Sequence, residues 1–171
     1  MTVITQKQTP LDAAREEFIA HWGALGSSWG INRTRAQIHA LLLVSLEPIT
    51  TDQVMNELSV SRGNANTNLR DLVAWGLVHN VVRRGERRQY FEAEKDVWKI
   101  FCIISRERKR REIDPTEEAL SACIEKTAGL RSADARAFHQ QMTALQEFVR
   151  LASSVLDKAA ASEKSVILKL L

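Results

Sequence analysis

A chain of 171 residues, 44% apolar and 26% charged, is long enough for one packed core with helical extensions and too apolar to be disordered overall. The formal net charge is only +3, but four of the 24 lysines and arginines fall within residues 83–88 and five within residues 106–111, so local charge matters more than the total. The stretch MTVITQKQ offers no apolar export segment, and the apolar run 40–44 is far too short to cross a bilayer, so a cytoplasmic protein with no membrane contact is expected. In that compartment Cys102 and Cys123, both inside apolar patterns, are expected as reduced, small hydrophobes.

Thr9-Pro10-Leu11-Asp12 has the composition of a helix start, with Thr9 as cap, Pro10 in the first turn and Asp12 near the positive end. The helix that follows places Leu11, Ala14, Phe18, Trp22 and Leu25 on one stripe, and the glycines at 23, 26 and 30 are expected to end it. A second helix over about 33–46 is apolar nearly all round, as a central helix should be, and Pro48 closes it. Thr50-Thr51-Asp52-Gln53 is a capping box that opens a short third helix to about Leu58. Ser61 caps a fourth helix, which carries Ala65, Leu69 and Leu72 inward and stops at Gly76.

Residues 77–82 and 89–93 then alternate as two strands around the polar turn Arg83-Arg84-Gly85-Glu86-Arg87. The remainder is helical in pattern: about 95–111, then 115–130 after the start signal Asp114-Pro115-Thr116-Glu117, then 133–160 and a short apolar tail. The last helix sets Phe138, Met142, Leu145, Val149, Ala152 and Leu156 on one seam, more apolar surface than a small domain needs internally, so a homodimer interface is expected there.

This order predicts a mainly α fold with a small β-hairpin: a winged helix-turn-helix over 31–94, with helical dimerisation and effector-binding regions at 9–30 and 95–171. Turning Ala65, Leu69 and Leu72 inward points Gly63, Thr67 and Arg70 outward, with Asn64 and Asn66 on the flanks. Such a face suits DNA, because Asn reads adenine, Arg reads guanine and Gly63 allows close backbone approach. Ser61 and Arg62 are placed to hold a phosphate at the helix start, and Arg83, Arg84, Arg87 and Arg88 give the hairpin an affinity for a narrow minor groove, with Glu86 orienting one arginine. A solvated polar face is the ordinary fate of such residues; the arginine-rich hairpin directly after it favours binding to double-stranded DNA.

The strings NRTRAQIHALLL, SRGNANTNLRDLVAWGLV and RRGERRQYFEAEKDVW resemble the GbsR branch of the MarR superfamily of bacterial regulators, over about residues 18–101. The resemblance implies that the helix from Ser61 to Trp75 reads the major groove, that residues 78–93 form the wing, and that terminal helices build the dimer. Many MarR wings carry Asp-x-Arg at the tip, where this sequence has Glu86-Arg87-Arg88.

Other features have two readings. The run 105–111 is either a phosphate-contacting patch or, the ordinary case, the exposed cationic end of a helix. Trp22, Trp29, Trp98 and Phe101 are either core aromatics, again the ordinary case, or a cage for an organic-cation effector. No cofactor, metal site or catalytic motif is indicated: the four histidines are scattered, and no phosphate-cradling glycine loop or nucleophile elbow occurs. A regulator that binds an inverted-repeat operator, acting as a repressor released by a small molecule, is therefore expected. The alternative is a winged-helix adaptor for partner proteins, which has no need of four arginines near a hairpin tip.

Overall fold

The computed structural model describes residues 9–161, so the expected apolar tail lies outside the described residues. The chain divides into two compact units between Lys95 and Asp96. The first contains α1 (Pro10–Ser28), α2 (Arg33–Val44), β1 (Ile49–Thr50), α3 (Thr51–Leu58), α4 (Arg62–Trp75), β2 (Val78–Val81) and β3 (Tyr90–Ala93). The second contains α5 (Val97–Arg108), a π-helical turn (Lys109–Ile113), α6 (Asp114–Thr127) and α7 (Ala133–Ala161).

In the first unit α2 is central. Ala36, Ile38, His39, Ala40, Leu41 and Leu42 are all buried, and α1, α3, α4 and β3 pack around them. Helix α1 is capped by Thr9 and Asp12 in a capping box, and of the three glycines expected to end it only Gly30, left-handed at φ 73°, follows its end; Gly23 and Gly26 lie inside it and are buried. They are the point where α1 crosses α2, because a Cβ on Gly26 would sit 2.5 Å from the Cβ of Ala36, and one on Gly23 would sit 2.5 Å from Cγ of Gln37. Close helix crossing overrides the low helix propensity of glycine. The helix expected to form part of a dimerisation region thus packs within the winged unit.

The carboxyl end of α2 is closed by Lys95, whose ammonium donates to the carbonyls of Leu42, Leu43 and Ser45 at 2.9, 2.7 and 2.9 Å. A cation there complements the negative end of the helix dipole. His39 is 3% exposed, its Nε2 has no hydrogen-bond partner, and its ring faces Trp22 at 6.3 Å. Burial, with a smaller contribution from Lys95, pushes its pKa down to about 4.

The sheet has three strands rather than two, in the order β1-β3-β2, all antiparallel. Strand β1 supplies only Ile49 and Thr50, paired with Phe91 and Tyr90, and Thr50 also caps α3. Two residues carry no alternation to read, so β1 is invisible to periodicity.

In the second unit the expected break before Pro115 is not a fresh capped start. Ile113 and Asp114 both keep helical dihedrals, with no side-chain cap, so α5 continues through the π turn into α6. Pro115 lacks an amide proton and would crowd the carbonyl four residues earlier, and the widened turn before it accommodates both. Polar bonds tie α6 and the turn to α7: Gln146 to Ser121 at 2.6 Å, Arg150 to Glu117 at 2.8 Å, and Lys109 to Asp157 at 3.6 Å; Lys109 also pairs with Asp114 of α6 at 3.1 Å. The single apolar seam expected on α7 is split. Met142, Val149, Ala152 and Leu156 are half-buried, while Phe138, Leu145, Phe148, Leu151 and Val155 are exposed.

Candidate nucleic-acid interface

Helices α3 and α4 are joined through Ser59, which adopts a left-handed conformation with φ 52° and lets the chain reverse within three residues. Ser61 caps α4, its hydroxyl accepting from the amide of Asn64 at 3.3 Å. Ala65, Leu69 and Leu72 are 0, 0 and 1% exposed, which fixes the rotation of the helix and leaves Gly63, Asn64, Asn66, Thr67 and Arg70 exposed. An added Cβ on Gly63 would meet no atom within 4 Å, so nothing in the chain itself demands glycine there.

These side chains are not equally available. Arg62 is paired with Asp52 of α3 at 2.5 Å. Asn66 Oδ1 is 3.4 Å from the Thr51 hydroxyl, and Asn64 is held by Asn68, which sequence reasoning passed over. Arg70 makes no ion pair among the described residues. Asp71, the acidic residue of this helix, is bonded to Arg35 of α2, whose guanidinium also lies 4.9 Å from the Trp75 ring, so its charge is compensated away from Arg70.

The wing turns at Arg83-Arg84-Gly85-Glu86, with Glu86 N–H donating to the Arg83 carbonyl at 3.2 Å and Gly85 at φ +86°, the left-handed position that favours glycine. Glu86 does not orient an arginine. It accepts from the Tyr90 hydroxyl, and that bond raises the Tyr90 pKa. Arg83 stacks over Tyr90 at 4.3 Å and pairs with Glu47 at 3.5 Å, anchoring the wing base. Arg84, Arg87 and Arg88 are exposed and make no ion pair among the described residues. Thus of the six arginines read as DNA contacts, Arg62 and Arg83 are held in ion pairs, and Arg70, Arg84, Arg87 and Arg88 are in none among the described residues.

Between α4 and the wing lies an open groove of about 410 Å³ lined by Asn66, Arg70, Val73, Asn80, Gln89 and Phe91. Gln89 donates to Asn80 at 2.8 Å. Neither was singled out from sequence, because the register that brings them together is a property of the paired strands.

The other candidates are placed as follows. Trp22 packs on Phe18 with ring centres 5.5 Å apart, and Trp29 is 45% exposed at the end of α1, both in the first unit. Trp98 stacks with Phe101 at 5.1 Å in the second. In the run 105–111, Arg108 pairs with Glu112, Arg110 with Glu107 and Lys109 with Asp114, and Arg106 donates to the Cys102 carbonyl. These bonds agree with the structural reading of the run. Among the described residues no group of three or more His, Cys, Asp or Glu is placed to hold a metal ion, and no helix is long and apolar enough to cross a membrane.

Three helices, a tight turn between the second and third, and a hairpin closed by a short third strand make the first unit, less α1, a winged helix-turn-helix. Residues 29–89, which hold α2, β1, α3, α4 and most of the wing, match the model of the MarR family, so the winged segment is MarR-like. A solved structure described as "Crystal Structure of a transcriptional regulator" is 21% identical, with a TM-score of 0.65, over 86% of this chain and 95% of that one. At that identity the likeness concerns the fold. No curated protein matches the chain.

Proposed function

We propose that this protein is a homodimeric, sequence-specific regulator of transcription of the GbsR-like branch of the MarR superfamily, which reads double-stranded DNA with α4 and the wing. The observation that carries the reading is the availability of Arg70 on the outward face of α4 together with Arg84, Arg87 and Arg88 on the wing, exposed cations that make no ion pair among the described residues. The MarR-like segment and the structural relative described as a transcriptional regulator support it. The exposed side chains Phe138, Leu145, Phe148, Leu151 and Val155 form an apolar strip on α7 suited to a second copy. Two copies related by a twofold axis would set their α4 helices about one DNA turn apart, on an inverted repeat. Occupying a promoter in this way represses it, and a small molecule that changes the spacing of the two α4 helices would release it.

The experiment is selection of bound duplexes from fragmented genomic DNA by the purified protein. Recovery of a common inverted repeat supports the proposal. Recovery of unrelated fragments, or of none, contradicts it, the latter pointing to an adaptor.

A further inference from the structure

Resting on the reading in which α4 enters the major groove, we infer that Asn64 meets the DNA as a hydrogen-bond donor, and that buried Asn68 is the positioning residue that makes it one. Asn68 lies one turn beyond Asn64 and is only 4% exposed, the one polar side chain of α4 inside the core. Its Nδ2 donates to the Asn64 backbone carbonyl at 2.9 Å and to Asn64 Oδ1 at 2.6 Å.

The orientation of both amides follows from the first of these bonds. A backbone carbonyl only accepts, so the atom of Asn68 facing it is the NH2 group; the atom of Asn64 facing that same NH2 group is then the carbonyl oxygen. With its oxygen held inward, Asn64 presents Nδ2 at the exposed surface. A donor there selects acceptors on the major-groove edge, namely purine N7, guanine O6 or thymine O4, and disfavours the amino groups of cytosine and adenine. Paired recognition of adenine, the usual role of asparagine, needs both atoms turned to the base, and Asn68 opposes it. Ordering the amide in the free protein also removes rotamer entropy that binding would otherwise have to remove.

The test is selection from a random duplex library with full-length wild type, Asn68→Leu and Asn64→Asp, followed by titration of every single-base change in the recovered site and thermal unfolding of each protein. For wild type, one position should reject cytosine by about tenfold relative to bases presenting an acceptor. Asn68→Leu should shift that position alone toward adenine, because the released amide can pair with it through both atoms. A purely structural role for Asn68 would instead weaken all sites equally. Asn64→Asp, at an exposed position that does not endanger folding, replaces the outward NH2 by oxygen and should move the preference to cytosine or adenine. If folded Asn68→Leu keeps the wild-type preference, or if Asn64→Asp does so whether or not Asn68→Leu folds, the inference is overturned while sequence-specific binding stands. If wild type selects no sequence, the proposed function fails and takes the inference with it.

Discussion

Arg70 and Arg88 carry the same charge but are placed for different tasks. Arg70 projects from the face of α4 opposite Leu69 and Leu72 and borders the groove to the wing, while Arg88 stands on the hairpin beyond it. Arg70→Ala should therefore relax base preference at one position and cost about 1 to 3 kcal/mol in binding, whereas Arg88→Ala should weaken binding to all duplexes and reduce the salt dependence. Competition binding with single-base variants distinguishes the two, and wild-type affinity in both mutants would contradict the site assignment. His39 gives a prediction about stability. Its pKa is depressed from 6.5 to about 4 in the fold, so the unfolded chain binds the proton more readily between those values. Stability should be full above about pH 6.5 and fall by roughly 3 kcal/mol as pH drops toward 4. His39→Leu should flatten that slope in pH-dependent thermal unfolding; an unchanged slope would assign the loss to other groups. At this scale the inward set Ala65, Leu69 and Leu72 was legible from a 3.6-residue period. Asn68 was not, because a polar residue in an inward register looks like an interruption of the pattern, and pairings such as Arg35 with Asp71 depend on contacts 36 positions apart.

The elements follow local rules where local chemistry decides and depart from them where packing does. The starts at Thr9, Thr50 and Ser61 and the stop at Gly76 were readable because caps satisfy backbone groups within three or four residues. Gly23 and Gly26 were misread as terminators for the complementary reason: their use lies in the approach of α2, which no local window contains. The consequence can be checked. Gly26→Val would push side-chain carbons into the Ala36 Cβ, an atom fixed to the α2 backbone, and should destabilise the protein by about 1 to 3 kcal/mol, lowering its unfolding midpoint. Gly63→Ala is the contrasting case. With nothing near its added methyl group it should leave stability unchanged or raise it by up to about 1 kcal/mol, yet weaken DNA binding where the backbone must approach closely. Loss of stability in Gly63→Ala, or none in Gly26→Val, would reverse the assigned roles. The π turn before Pro115 belongs here too, since sequence marks the proline but not whether the chain breaks or widens to admit it.

For the whole molecule, the division of the chain was legible only in part. The winged segment has a distinctive order of elements, whereas the helices after Asp96 carry no motif, and their apolar residues show where surface is in excess without naming what covers it. The exposed strip on α7 is assigned to a second copy of the chain, so replacing Leu145 and Phe148 together by lysine should convert dimer to monomer in sedimentation equilibrium and weaken binding to a full inverted repeat far more than to a half-site. A monomeric wild type would remove the dimer from the account. Whether the exposed arginines of α4 and the wing serve recognition of particular DNA sequences is decided by titrating the protein against its selected duplex and a scrambled one at several salt concentrations. A preference of at least about a thousandfold for the selected site is expected, with steep salt dependence for both duplexes. Equal affinity for the two duplexes across the whole salt range would contradict it.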